Sequence, residues 1–145
     1  MIGVRAKVVH HNVGTWEHTL GMMLETEVFA IEPDITGISC SGRFTMGTRL
    51  SETEAMINQF MAEGVRKMVL DLTHVEFLDS AGLGVIMHAF GAMEQAGGQL
   101  RVAGPSDQVQ RLLRITHTGP ILAVDADLVS SVRKLQGTDT AAADP

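Results

Sequence analysis

The tetrapeptide Asp79-Ser80-Ala81-Gly82 separates an apolar segment that ends at Leu78 from an apolar run with helical spacing. At such a junction the N–H groups of the first helical turn point outward, and the helix dipole favours negative charge. Ser80 could carry a phosphate whose oxygens face those amides, and the small residues after it let another protein approach. Asp79 or Ser80 could instead only cap the helix. Spacing alone favours capping, because caps are far commoner than phosphorylation sites.

Catalysis and metal binding are both disfavoured by the residues around these positions. Ser80 has Leu78 two residues before it, where a hydrolase nucleophile elbow has glycine, and none of the six histidines has a spacing to Ser80 that indicates a catalytic triad. His10 and His11 are adjacent but have no accompanying cysteine or acidic cluster. The sequence therefore predicts a protein that is not an enzyme and that has neither a cofactor nor a metal site.

Composition limits the class of protein. A chain of 145 residues, 45% of them hydrophobic and 19% charged, is suited to one domain with its own core. The formal net charge is −6, without a basic stripe, which argues against direct binding to nucleic acid. A single cysteine, Cys40, excludes a disulfide framework and indicates a reducing compartment. No apolar run approaches the roughly 20 residues of a membrane span. The first residues do not show a continuous apolar region that ends at a small-residue cleavage site, so secretion is not expected. These features predict a cytoplasmic protein.

Strand and helix patterns alternate along the chain. Residues 23–31 alternate apolar and polar side chains as a half-buried strand does, Pro33-Asp34 provides a turn, and Ile35–Phe44 is predicted as the returning strand. Ser51 and Glu54 have the spacing of a capping box ahead of an apolar helical pattern that ends at Gly64.

The second half of the chain repeats a strand–helix unit. Residues 67–72 form a nearly continuous apolar run, as expected of a strand covered on both faces. A helix with Leu83, Ile86 (or Val85), Phe90 and Met93 on its buried side follows Ser80 and ends at Gly97-Gly98. Strands are predicted at 99–104 and 121–124, and helices after Ser106 and over 125–135.

The predicted order, ββαβαβαβα, indicates an α/β fold with a largely parallel sheet and an antiparallel hairpin at its edge. Three segments are predicted. They are a partly disordered N-terminal extension over residues 1–20, a single domain over residues 21–136, and a disordered tail over residues 137–145.

Four stretches of the sequence carry a resemblance to a known family. The segment VLDLTHVEFLDSAGLGVI resembles the signature of STAS domains of the anti-sigma-factor-antagonist type, in which a strand leads through Asp-Ser to a helix. CSGRFTMG, AMEQAGGQLRVAG and QVQRLLRITHTGPILAV resemble the flanking elements of the same family in the same order. The likeness covers roughly residues 21–136, and the combined order is more specific than any one motif. It departs at Thr45-Met46-Gly47, where family members often have an acidic residue.

The resemblance implies a STAS-like fold and a regulatory function. Such proteins bind an anti-sigma factor that is also a serine protein kinase and thereby free the sigma factor, which regulates transcription. The kinase then phosphorylates the serine after the aspartate, here Ser80, which breaks the complex, and a serine phosphatase reverses the modification. The expected partner-binding residues are Asp79, Ser80, Ala81, Gly82, Leu83, Thr45 and Met46. Two other roles of the same family stay open: an accessory subunit of a lipid-transporting ATPase, or a scaffold member of a signalling assembly.

Overall fold

The computed structural model describes residues 6–11 and 23–137. Within these ranges the chain forms six strands and four helices. The strands are β1 (Ala6–His11), β2 (Glu25–Ile31), β3 (Ile35–Phe44), β4 (Lys67–Leu78), β5 (Gln99–Ala103) and β6 (Val124–Asp125). The helices are α1 (Thr48–Ala62), α2 (Ser80–Gln95), α3 (Asp107–Ile115) and α4 (Leu128–Gln136). The order of elements from β2 onward is the predicted one.

All six strands lie in one sheet, in the order in which they occur along the chain. Strands β1, β2 and β3 pair antiparallel, whereas β3, β4, β5 and β6 pair parallel. Each parallel connection contains one helix, as a crossover between parallel strands requires. The predicted α/β class, with a largely parallel sheet and an antiparallel hairpin at its edge, is confirmed.

The two faces of the sheet bury different sets of side chains. Helices α1, α2 and α3 cover one face, where the most deeply buried residues include Ile38, Leu70, Ile86, Met93 and Leu100. Helix α4 covers part of the other face, where a smaller cluster contains Phe29, Ile31, Ile35, Val69, Ala103, Val132 and Leu135. Removal of this apolar surface from water provides the main driving force for folding. The three-helix face therefore provides the larger core.

The single cysteine lies inside the larger core. Cys40 on β3 is only 1% exposed, and burial, reinforced by the nearby negative charge of Asp71, raises the pKa of its thiol. Asp71 on β4 is itself buried and accepts hydrogen bonds from the backbone N–H of Thr73 at 3.1 Å and from its hydroxyl at 2.5 Å. Cys40 is therefore a small apolar core residue, not a reactive thiol.

Helix α4 is attached to the sheet by one buried carboxylate. Asp125 on β6 accepts hydrogen bonds from Arg101 (Nε to Oδ2, 2.6 Å, and Nη2 to Oδ1, 3.0 Å), from the Ser131 hydroxyl at 2.6 Å and from Lys134 Nζ at 2.8 Å. Burial opposes ionisation, but these donors outweigh it and lower the pKa of Asp125 to about 2. The network joins β5, β6 and α4.

The predicted start of the first helix is wrong. Helix α1 begins at Thr48, after Gly47, so Ser51 lies within its first turn and is exposed instead of capping the helix. The backbone N–H of Ser51 donates to the carbonyl of Gly47 at 3.1 Å, an ordinary helical hydrogen bond. Burial of Leu50, on the same side of the helix as Ile57, favours the earlier start.

Two strand predictions also need correction. Strand β4 continues to Leu78, six residues beyond the predicted end, and two register shifts occur where it pairs with the second half of β3. The last strand lies at Val124–Asp125 instead of 121–124, and Ile121 is exposed in the preceding turn. Strand β1 lies within residues 1–20, which were predicted as an N-terminal extension without a strand assignment, and it pairs with β2. The predicted disorder of the tail concerns residues that, apart from Gly137, lie outside the described part of the chain.

Candidate functional site

Strands β3 and β4 extend past the rest of the sheet at its carboxyl edge. Strand β5 pairs with β4 only from Lys67 to Asp71, whereas β3 and β4 remain paired as far as Phe44 and Leu78. Helix α2 begins two residues after Leu78. The end of this two-stranded extension therefore brings the loop after β3 and the start of α2 together.

Asp79 connects these two segments. It is the N-cap of α2, with an extended backbone, and its Oδ1 accepts a hydrogen bond from the Gly82 N–H at 2.8 Å. Its Oδ2 accepts a hydrogen bond from the Met46 N–H at 3.0 Å, across 33 positions of sequence. Partial burial opposes ionisation, but hydrogen bonds from the backbone of Met46, Gly82 and Ala81 outweigh it and lower the pKa of Asp79. The ionised carboxylate thus fixes the loop beside the helix.

Ser80, the first residue of α2, is exposed. Its hydroxyl makes no hydrogen bond to any described residue. Capping and phosphate acceptance are therefore not competing roles here, because Asp79 caps the helix and leaves the Ser80 hydroxyl accessible. The sequence analysis expected the backbone amides of the first helical turn to be available to a phosphate on Ser80. One of them, the Gly82 amide, already donates a hydrogen bond to Asp79.

Gly82 allows α2 to approach β3 closely. A Cβ atom at this position would lie 2.1 Å from the carbonyl oxygen of Phe44 and 2.8 Å from a side-chain carbon of Leu78. Gly82 is buried, and Leu83 is only 8% exposed within the core. Although both were predicted to contact a partner, the structure places them in the contact between helix and sheet. Neither residue is therefore part of the exposed surface at this edge of the sheet.

The accessible residues at this edge form a small surface around the serine. Met46 is 79% exposed, the largest exposed fraction among the large apolar residues that the structure describes. Thr45 and Ala81 are half-buried beside it, and Gly84 is exposed, with open space where a Cβ would be. We call Thr45, Met46, Ser80, Ala81 and Gly84 the Ser80 surface. It combines the exposed Ser80 with the exposed apolar side chain of Met46.

One further pair at this edge was not predicted. The guanidinium of Arg43 lies over the ring of Phe77, 4.5 Å from its centroid, and Phe77 is 43% exposed. The two residues are opposite each other in the β3–β4 register. Only that register brings positions 43 and 77 together, so the sequence provides no spacing from which the cation–π pair could be found.

Two features of the described residues bear on other functions. Within the described residues, His, Cys, Asp and Glu side chains form no group of three or more that could hold a metal ion. The helices of the described chain are all too short or too polar to cross a bilayer.

Comparison with known proteins supports the resemblance found in the sequence. The family model for the STAS domain matches residues 2–133. The anti-sigma-B factor antagonist of Listeria monocytogenes is 31% identical over 103 residues, which cover 71% of this chain and 90% of that protein.

Two solved structures share the fold. The anti-sigma factor antagonist SpoIIAA in its unphosphorylated form matches with a TM-score of 0.68 and 18% identity, over 77% of this chain and 96% of that one. The phosphorylated form of SpoIIAA from Bacillus matches with a TM-score of 0.62 and 16% identity, over 75% and 97%. At these identities the structures show a common fold alone. Because the family model spans nearly the whole sequence, this chain belongs to the STAS domain family, and it is similar to the anti-sigma factor antagonists within it.

Proposed function

We propose that this protein is an anti-sigma factor antagonist that binds a serine-kinase anti-sigma factor and is released from it by phosphorylation of Ser80. The observation that carries the proposal is the exposed, unbonded hydroxyl of Ser80 at the start of α2, beside the exposed Met46. The name of the Listeria relative supports the role, and the two forms of SpoIIAA support phosphorylation as its control.

The charge at this edge explains why a phosphate would break a complex. An unmodified Ser80 is small and neutral, so a partner can pack directly against it and Met46. A phosphate adds about −1.5 to −2 charges and a hydrated group. It would lie next to the ionised carboxylate of Asp79, which already occupies the Gly82 amide. The helix dipole offsets only part of this repulsion. Phosphorylation therefore makes the surface around Ser80 costly to desolvate, which weakens binding of the partner.

In this proposal the protein is a substrate and a switch, and its partners perform the catalysis. The kinase supplies the phosphate from ATP, and a separate serine phosphatase removes it. Asp79 is a positioning residue: its two oxygens hold the Met46 loop and the first turn of α2 in one arrangement. Met46 would insert into an apolar recess of the kinase, since a flexible thioether adapts to irregular surfaces.

Phosphorylation is tested with purified anti-sigma kinases of the source organism, ATP and mass spectrometry. We expect a single phosphate on Ser80. Ser51 is the matched control, because it is also an exposed serine in the first turn of a helix. Phosphate on Ser51, or on both serines equally, would contradict the assignment of Ser80 as the acceptor.

Binding is tested with Ser80→Ala, Ser80→Asp and Ser51→Asp. We expect Ser80→Ala to bind the kinase at least as tightly as wild type, and Ser80→Asp to bind about tenfold to a thousandfold more weakly, because it buries an unpaired charge. Ser51→Asp should bind as wild type does. Equal binding of all forms would reduce Ser80 to a surface serine and favour the transporter-subunit or scaffold role.

A further inference from the structure

A second exposed surface lies on α3, away from the Ser80 surface. The helix buries Val109 and Leu113 against the sheet. Arg111, Arg114 and Ile115 follow the three- and four-residue spacing of a single stripe on the opposite, solvent-facing side. Ile115 is 67% exposed, and Ile121, in the turn after the helix, is 55% exposed. We call Arg111, Arg114, Ile115 and Ile121 the α3 patch.

The two arginines of the α3 patch differ from all other cations between residues 23 and 137. Arg43, Arg49, Arg66, Lys67, Arg101, Arg133 and Lys134 each interact with a carboxylate, a carbonyl, an aromatic ring or another group of the chain. Arg111 and Arg114 have no such partner among the described residues. Asp107 lies one turn before Arg111, but the two side chains form no ion pair. In a chain of formal charge −6, the α3 patch is thus a local positive surface.

The turn that positions Ile121 is held in place by hydrogen bonds. The Thr118 N–H donates to the Leu113 carbonyl at 3.0 Å, and the Ile121 N–H donates to the Thr118 carbonyl at 3.0 Å. The Thr116 hydroxyl donates to the Leu112 carbonyl at 2.8 Å. These bonds hold the turn that carries Ile121 against the last turn of α3, so the backbone at both exposed isoleucines is ordered before a partner binds.

The topology places this patch at the other end of the molecule from Ser80. Strands β4 and β5 run parallel, so both end at the carboxyl edge of the sheet, where α2 and α3 begin. Helix α3 then runs back along the sheet, and its C-terminal residues lie toward the amino edge. A partner on the α3 patch would not compete with a partner on the Ser80 surface.

We propose that the α3 patch is a docking surface for a second protein, one that presents carboxylates around an apolar side chain. Two unpaired guanidinium groups can each bind a carboxylate through two parallel hydrogen bonds, and the exposed Ile115 and Ile121 provide apolar area for the same partner. Arginine beside apolar residues is typical of the centre of protein interfaces. A membrane surface or a nucleic acid fits less well, because an extended polyanion would also face the acidic remainder of the chain, whereas a few carboxylates need contact only the α3 patch.

The proposal is tested with a short, fluorescein-labelled helical peptide in which glutamates flank a stripe of leucines, with fluorescence anisotropy as the measurement. The control peptide has glutamine in place of every glutamate. We expect the wild-type protein to bind the acidic peptide and the double variant Arg111→Glu, Arg114→Glu to bind it at least about tenfold more weakly. Ile115→Ser with Ile121→Ser should weaken binding about fivefold, because both are surface positions.

Three controls make the result specific. Arg133→Glu changes an exposed arginine that already has a partner, and Ser80→Asp changes the opposite edge, so both should bind the peptide as wild type does. If the double charge reversal unfolds the protein by circular dichroism, Arg111→Gln with Arg114→Gln replaces it, with the same expected direction. Equal binding of both peptides, or unchanged binding by the arginine variants, would overturn the proposal. Tighter binding of phosphatidylglycerol vesicles or duplex DNA through the same arginines would assign the patch to that partner instead.

Discussion

Two aspartates lie at the carboxyl edge of the sheet, each just before a helix, and they use their charge differently. Asp125 is buried and neutralised by Arg101 and Lys134, with a further hydrogen bond from Ser131. Asp79 is partly exposed and bonded to backbone N–H groups alone. Both have lowered pKa values, but one carboxylate fixes a helix to the core and the other arranges a surface. A lowered carboxylate pKa alone therefore does not distinguish a structural aspartate from one beside a candidate site.

The largest expected effect comes from removal of the Asp125 charge. Asp125→Asn leaves Arg101 and Lys134 without their anionic partner in a mostly buried site. We expect the free energy of unfolding to fall by about 3 kcal/mol in urea denaturation. The control is Asp34→Asn, which breaks the exposed ion pair with Lys67 and should cost less than about 1 kcal/mol. Equal losses in the two variants would contradict a structural role of the buried network.

The next effect tests the close approach of α2 to β3. Gly82→Ala would place a methyl group against the carbonyl of Phe44, so the helix must shift, and we expect a loss of about 2 kcal/mol. Gly84→Ala is the matched control in the same helix, where open space allows the methyl group and alanine should stabilise by up to about 1 kcal/mol. Thermal unfolding of both variants measures the difference. A Gly82→Ala variant as stable as wild type would show that the contact between α2 and β3 accommodates a methyl group.

The pH dependence of stability tests the role of Asp125 in a second way. Asp125 has a pKa of about 2 in the folded protein, against an ordinary value of 3.8. Because the unfolded chain binds the proton more readily, its contribution is complete above about pH 4 and is lost as the pH falls through about 2. The difference corresponds to about 2 kcal/mol. Stability of wild type should therefore fall more steeply with acid than that of Asp125→Asn. Parallel curves for the two proteins would show that Asp125 is not the group that titrates.

The smallest effect on stability, and the most local one, is expected at Asp79. Asp79→Ala removes the helix cap and the bond to Met46, and we expect a loss of about 1 kcal/mol. Hydrogen exchange at the Met46 amide should rise in this variant, whereas Ser80→Ala should change neither quantity. If exchange at Met46 stays as slow as in wild type, the carboxylate does not hold the loop.

Local patterns predicted those elements whose limits are set by neighbouring residues. The strand Ile35–Phe44 agrees with its predicted bounds because Pro33-Asp34 marks its start and apolar alternation marks its length. The start of α2 after Asp79 was also indicated by residue type. Strand β4 was predicted too short because two register shifts interrupt its alternation, and such shifts depend on the neighbouring strand. The last strand was misplaced because Ile121, an apolar residue, lies exposed in a turn.

The placement of the candidate site residues could be predicted only in part, for the same reason. That Asp79 and Ser80 stand at the start of a helix follows from residue type, and Met46 lies in the loop where it was expected. The bond between Asp79 and Met46, however, joins residues 33 positions apart, and no local pattern encodes it. The burial of Gly82 and Leu83, and the pairing of Arg43 with Phe77, likewise depend on how α2 and the two strands pack.

The burial of Cys40 has a practical consequence for optical and exchange experiments. Maleimides and disulfide reagents react with the thiolate, and Cys40, the only cysteine of the chain, is buried with a raised pKa. The folded protein is therefore inert to these reagents, and a cysteine introduced at an exposed position such as Ser51 or Ile115 would be labelled alone. The rate at which Cys40 itself is modified would then report how often the core opens, so this native side chain is a probe of unfolding.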